Sequence, residues 1–129
     1  MLYTGIDLTE IDRIRRAARN PRFVTRVFSA EEQAYFAGQK DPFPSMAACF
    51  AAKEAFSKAL GTGVRGFKLA EVSVVHDAFG APRLRLSGAA AQRAEERGIS
   101  ELSLSLTHTG ALAAAVVIAI GRPGLQEGV

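Results

Sequence analysis

Glu54 and Lys58 stand four residues apart within Phe50-Ala51-Ala52-Lys53-Glu54-Ala55-Phe56-Ser57-Lys58-Ala59-Leu60-Gly61-Thr62-Gly63. On a helix that spacing puts both side chains on one face, with Phe50, Ser57 and Gly61 extending it. A carboxylate and an ammonium so placed form either a solvated surface pair or a charged couple for handling an anionic substrate. Spacing alone favours the first reading, and the surrounding alanines and phenylalanines weaken it. Gly61-Thr62-Gly63 suits close backbone approach by a phosphate, although it lacks the Gly-Lys-Ser/Thr of a nucleotide P-loop. Asp7, after Gly5-Ile6, is either the N-cap of a following helix or a second carboxylate beside Glu54. Two carboxylates suit magnesium, which takes few protein ligands and keeps waters and substrate phosphates. His108, in Leu106-Thr107-His108-Thr109-Gly110, is either a satisfied structural histidine or one donor in an anion-receiving Thr-His-Thr run. His76 has no such company and reads as structural.

The elements that must position these residues can be read from pattern. Leu2 to Leu8 predicts a strand, with Gly5 allowing a close approach. A basic helix is expected from about Thr9 to Arg19, ended near Asn20-Pro21. Ser29-Ala30-Glu31-Glu32 has capping-box spacing, so a short helix should run toward Phe36. Gly38 to Pro44 reads as a loop. The longest helix is expected from Ser45 to a left-handed glycine cap at Gly61. Glu71 to His76 and Arg83 to Leu86 predict a hairpin with a broad turn. Ser87 to Gly98 is a further helix, Leu102 to Leu106 a half-buried strand, and Ala111 to Ile120 a fully buried one. Gly121 to Val129 should fray. The fold class is α+β: an antiparallel sheet covered by helices, in one domain over residues 1–129.

Composition narrows the function classes. The chain has 129 residues, 48% hydrophobic and 22% charged, which excludes a disordered tail. Its single cysteine, Cys49, excludes an internal disulfide framework and points to a reducing compartment. Asp7, Glu10 and Asp12 interrupt the N-terminus before any apolar run develops, and the longest apolar run is half a membrane span. The expected location is cytoplasmic, with no membrane partner. The net charge of +3 is modest, but Arg13, Arg15, Arg16, Arg19, Arg22 and Arg26 crowd one stretch. Such a run is either a solvated helix face or a dock for an acidic partner. Nucleic acid is disfavoured, because Phe23 and Phe28 come only after the expected basic helix.

Taken together, the motifs resemble the small bacterial phosphopantetheinyl transferases of the holo-[acyl-carrier-protein] synthase family. The resemblance rests on Gly5-Ile6-Asp7-Leu8-Thr9-Glu10-Ile11, on the Phe50 to Gly63 segment above all, on Asp77 to Pro82, and on Leu106-Thr107-His108-Thr109. The four segments run in the family's order over nearly the whole chain. The resemblance implies transfer of 4′-phosphopantetheine from coenzyme A to a serine of apo-acyl carrier protein, releasing adenosine 3′,5′-bisphosphate. It implies Asp7 and Glu54 as magnesium ligands, and Lys58 at the phosphates. Ser57, Gly61, Pro82, His108 and Thr109 would lie in the coenzyme A region. Arg13, Arg19 and Arg22 would meet the acidic carrier. It further implies a homotrimer with sites built between neighbouring protomers. The base for the carrier serine stays open among Glu54, Asp7 through a water, and a metal-bound hydroxide. One departure stands out: the family usually has arginine directly before Phe-Ala-Ala-Lys-Glu-Ala, and this chain has Cys49. The rival reading is a carrier-protein or nucleic-acid binding module with impaired catalysis.

Overall fold

A computed structural model describes residues 1–63 and 66–122. Strand β1 (Leu2–Glu10) pairs antiparallel with β5 (Leu112–Gly121), in register from Leu2 opposite Ile120 to Glu10 opposite Leu112. On its other edge β5 takes β4 (Ile99–His108), giving the order β1-β5-β4. A separate hairpin joins β2 (Val72–His76) to β3 (Pro82–Leu86). Among the described residues there are five α-helices, α1 (Ile11–Ala17), α2 (Pro21–Val27), α3 (Ala30–Ala37), α4 (Phe43–Leu60) and α5 (Gly88–Glu96), and a 3₁₀ turn at Leu69–Glu71. The class is α+β, as the sequence indicates.

Helix α4 is the centre of the molecule. Thirteen of its 18 residues are buried, so it is a core helix and not an amphipathic cover. Alanines let it lie close to the inner face of β1 and β5, where Gly5, Thr9, Ala113, Ala115 and Val117 are buried. Phe56 and Phe67 pack edge to face at 5.9 Å, and Phe28 meets Phe36 at 5.1 Å in the same manner. Gly61 ends the helix at φ +80°, the left-handed cap expected there.

Several expected boundaries shift for identifiable reasons. The first strand extends to Glu10, because its ladder with β5 continues through Thr9 and Glu10; the helix expected from Thr9 therefore starts at Ile11 and ends at Ala17. Pro21 does not merely stop a helix. It opens α2 at the first helical position, where its missing N–H costs nothing, and Asn20 Oδ1 accepts from Arg22 N at 3.0 Å as the cap. Helix α4 begins at Phe43 and not Ser45, since Pro42 and Pro44 sit at its very start. The strand expected to be fully buried is buried on one face only. Along β5, Ala113, Ala115, Val117 and Ala119 are buried, whereas Ile118 and Ile120 are exposed. Gly121, expected to begin a frayed tail, is the last residue of β5, and residues 123–129 lie outside those described.

The outer face of β1 and β5 is largely apolar, with Thr4 between Leu2 and Ile6. Leu2, Ile6 and Leu8 of β1 are each more than 60% exposed. Their register partners Ile120, Val116 and Ala114 continue the strip across β5. On β4 the same face carries polar Ser103, Ser105 and Thr107.

Candidate active site

Asp7 lies on the inner face of β1, because side chains alternate along a strand and Gly5 and Thr9 share its face. Gly5 sets the depth of the joint. A Cβ there would overlap the Ala55 carbonyl oxygen and stand 2.8 Å from Ala59 N. Only glycine lets β1 approach α4 this closely, and the approach brings Asp7 to the flank that carries Glu54 and Lys58. Lys58 Nζ donates to Ile6 O at 2.9 Å and to Asp7 Oδ1 at 3.3 Å. Thr9 Oγ1 donates to Asp7 Oδ2 at 2.9 Å. Each Asp7 oxygen thus has one partner, which fixes the carboxylate plane.

Glu54 is half-buried beside this pair. Burial pushes its carboxyl above the ordinary glutamate range, the Asp7 charge adds to the rise, and Lys58 and Arg13 oppose it. Two carboxylates are therefore held close at an electrostatic cost, with one ammonium beside them. This is the donor set that suits a hard divalent cation, whose charge would relieve the repulsion. Among the described residues no group of three or more His, Cys, Asp or Glu could enclose a metal. A two-carboxylate site that leaves the remaining positions to water and phosphate fits magnesium well. Arg13 projects from α1 across the Phe50 ring, 5.5 Å from its centroid, at the edge of the same region. Arg19 and Arg22 are exposed farther along the basic surface.

The other candidate residues have different placements. Ser57 is buried, and its hydroxyl donates to Lys53 O at 2.9 Å. Gly61 and Gly63 have positive φ in the loop that follows α4. Pro82 opens β3 opposite His76, whose ring stacks on Tyr35 at 4.3 Å in the structural role expected of it. Asp77 shapes the hairpin turn: its Oδ1 accepts from Phe79 N at 2.8 Å and Ala81 N at 3.0 Å. Thr109 Oγ1 accepts from Ala111 N and Leu112 N and so builds the β4–β5 turn. His108 ends β4 and lines a 130 Å³ cavity with Tyr35, Ser45, Cys49 and His76. That cavity lies by the first half of α4, whereas Glu54 and Lys58 occupy the second. A single protomer gathers Asp7, Glu54 and Lys58, and leaves His108 and Pro82 elsewhere.

Cys49 is 3% exposed, and burial pushes its thiol far up, with the nearby Glu32 charge adding to it. It packs as a small apolar group. Sequence reading did not single out Thr9, although a threonine two residues from Asp7 on a strand shares its face. Nor did it single out Lys53, which is fully buried against Glu32.

The fold and site define an α+β protein with a two-carboxylate, one-lysine centre at a strand–helix joint. Residues 3–117 match the model of the 4′-phosphopantetheinyl transferase superfamily, and the chain belongs to that family. It is 39% identical over 121 residues to the holo-[acyl-carrier-protein] synthase of Caldanaerobacter subterraneus subsp. tengcongensis, covering 93% of this chain and 95% of that one. Among solved structures it resembles the holo-[acyl-carrier-protein] synthase of Neisseria meningitidis, with a TM-score of 0.85 and 36% identity over 92% of this chain and 97% of that one. It also resembles the synthase–CoA complex described for Chronobacterium ammoniagenes, with a TM-score of 0.83 and 28% identity over 95% and 98% of the two chains. No helix among the described residues is long and apolar enough to cross a membrane.

Proposed function

We propose that this chain transfers 4′-phosphopantetheine from coenzyme A to a serine of an apo-acyl carrier protein and releases adenosine 3′,5′-bisphosphate. The observation that carries this reading is the joint of Asp7, Glu54 and Lys58 in a chain of this superfamily. The synthase–CoA complex among its structural relatives supports coenzyme A as donor.

In the reaction the serine oxygen forms a bond to the phosphorus that carries the pantetheine arm. The pyrophosphate bridge breaks, and the bridging oxygen leaves with adenosine 3′,5′-bisphosphate. Magnesium held by Asp7 and Glu54 would supply charge neutralisation at the pyrophosphate. Lys58 retains more than half of its side chain in solvent while tethered to Ile6 O. Its ammonium, tethered in this way, would meet the departing phosphate. Asp7, gripped by Thr9 and Lys58, keeps a fixed orientation through the displacement, so that positioning contributes to the rate. Within this chain the groups that could take the serine proton are the two carboxylates of the joint, Glu54 directly or Asp7 through a water.

His108 and Pro82 stand apart from this joint, and the outer sheet face exposes Leu2, Ile6, Leu8, Ile118 and Ile120. Both observations support a homotrimer in which the apolar faces meet and one protomer's His108 and Thr109 complete a neighbour's coenzyme A site. Arg13, Arg19 and Arg22 give the acidic carrier its landing surface. The test is incubation of the protein with coenzyme A, magnesium and an apo-acyl carrier protein. A gain of about 340 Da on the carrier, the mass of the transferred group, marks this phosphoryl transfer; no gain refutes it.

A further inference from the structure

Lys53 stands next to Glu54 in the chain, yet it points into the core. It is fully buried, and all three of its ammonium protons are met: Glu32 Oε1 at 2.7 Å, Val72 O at 2.6 Å and Leu69 O at 3.1 Å. Glu32 is buried as well. Its Oε1 also accepts from Ser29 N at 2.9 Å, and its Oε2 from Val74 N at 2.8 Å. One side chain of α4 is thereby anchored to α3, to the 3₁₀ turn at Leu69–Glu71 and to β2. From the opposite side, β1 presses on the α4 backbone at Ala55 and Ala59 through Gly5. Residues 53 and 55 are thus held from two directions, and Glu54 lies between them.

Glu54 itself has no such grip. Among the described residues no hydrogen bond perturbs its carboxyl; only burial and the charges of Asp7, Lys58 and Arg13 do so. Its aim therefore depends on the rotation of α4 about its own axis. A buried ion pair is a poor source of net stability compared with apolar packing, although it can enforce a unique arrangement. We propose that Lys53 is a positioning residue of the transferase, its buried clamp to Glu32, Leu69 and Val72 setting the rotation of α4 that directs Glu54 toward Asp7. The proposal rests on the transferase reading above.

The test uses the full chain with Lys53→Met and Lys53→Arg. Arginine keeps the charge, but its planar fork cannot meet three acceptors arranged around one ammonium nitrogen. Binding of Mn²⁺ is followed by electron paramagnetic resonance in the presence of coenzyme A, and transfer is assayed separately. In the folded variants Mn²⁺ affinity and kcat should fall about 10- to 100-fold, as for residues that orient metal ligands. The KM for the apo-carrier should rise less than kcat falls, because Arg19 and Arg22 lie off α4 and only Arg13 touches it, across Phe50. Native Mn²⁺ affinity and kcat in a variant with a cooperative melt would overturn the proposal. So would a carrier KM that rises as much as kcat falls. If Lys53→Met has no melting transition, Lys53→Arg carries the test; if both fail to fold, Lys53 builds the core and its positioning role is refuted. A native chain that binds Mn²⁺ but transfers nothing overturns the functional reading alone, and the Mn²⁺ titrations still decide the clamp.

Discussion

Gly5 and Ala55 are in direct backbone contact: the Ala55 carbonyl oxygen occupies the place where any Gly5 side chain would stand. This contact, between a strand and the helix over it, determines how near Asp7 comes to Glu54. Gly5→Ala must push β1 away from α4, because the three nearest atoms it would meet all belong to the α4 backbone and cannot rotate aside. Overpacking of this kind costs about 1–3 kcal/mol. Thermal melting should show that loss, and transfer should fall more steeply than stability, since the two carboxylates separate. Native turnover in Gly5→Ala would show that the close approach is not needed.

Glu54 should titrate above an ordinary glutamate in the metal-free protein, raised by burial first and by Asp7 second. The sign for stability follows. A carboxyl whose folded pKa is raised holds its proton longer in the native state than in the unfolded chain. Its contribution is therefore lost as pH climbs from the ordinary glutamate value through the raised one. Asp7→Asn removes the repulsion and should lower the Glu54 pKa, and added magnesium should lower it as well. Carboxyl-labelled NMR titration reads all three. A Glu54 midpoint unmoved by Asp7→Asn would separate the two side chains electrostatically.

Some of this site was legible in the sequence, and the reason is distance along the chain. The capping box joins Ser29 and Glu32, three positions apart, and both of its hydrogen bonds are present. Yet Glu32 spends the rest of its carboxylate on Lys53 and Val74, 21 and 42 residues away, and no local spacing announces that. Asp7 and Glu54 likewise meet only because a strand and a helix cross. Residue types suggested the pair, and the resemblance gave it a role. Pro21 reads from sequence only as the end of a helix, but proline also begins helices, and the Asn20 cap makes it the first residue of α2. The β5 strand looked buried on both faces because its sequence is apolar on both; the single protomer covers only one.

The uncovered face makes its own prediction. Leu2, Ile6 and Leu8 run beside Ile120, Val116 and Ala114 in an apolar strip that only Thr4 interrupts. Ile6→Lys places a charge in its middle, without touching the α4 side of the sheet. The expected result in sedimentation is conversion of trimer to monomer, with transfer lost. Mixing Asp7→Ala with His108→Ala protein should restore part of the activity, because some sites then receive both native residues. A native chain that sediments as a monomer at assay concentration sinks the arrangement.

The arginines should act on one substrate only. Arg13 stacks on Phe50 near Glu54, whereas Arg22 lines an 820 Å³ groove with Arg26 and Lys68. Reversing Arg22 to Glu should raise the KM for the acidic carrier severalfold and leave that for coenzyme A unchanged. High salt should shrink the difference, because exposed charges are screened over about 8–10 Å at ordinary ionic strength. An equal rise in both KM values would count against a carrier dock.

Cys49 supplies the last prediction. It occupies the position where the sequence resemblance leads one to expect arginine, and it is almost wholly enclosed. Burial raises its thiol so far that thiolate is scarce at neutral pH, so the native protein should resist iodoacetamide and react only on unfolding. Beside it lies the 130 Å³ cavity that reaches His108. In Cys49→Arg the longer side chain would have to run through that cavity toward His108, which adds a fixed positive charge where an anion is expected. A charge-assisted hydrogen bond contributes about 1.5–3 kcal/mol. If His108 serves coenzyme A phosphates, the KM for coenzyme A should therefore drop, while the carrier KM stays put. Rapid alkylation of the folded chain would contradict the enclosed thiol. A Cys49→Arg protein that alone is active, beside an inert native chain, would show instead that the cysteine had switched the transferase off.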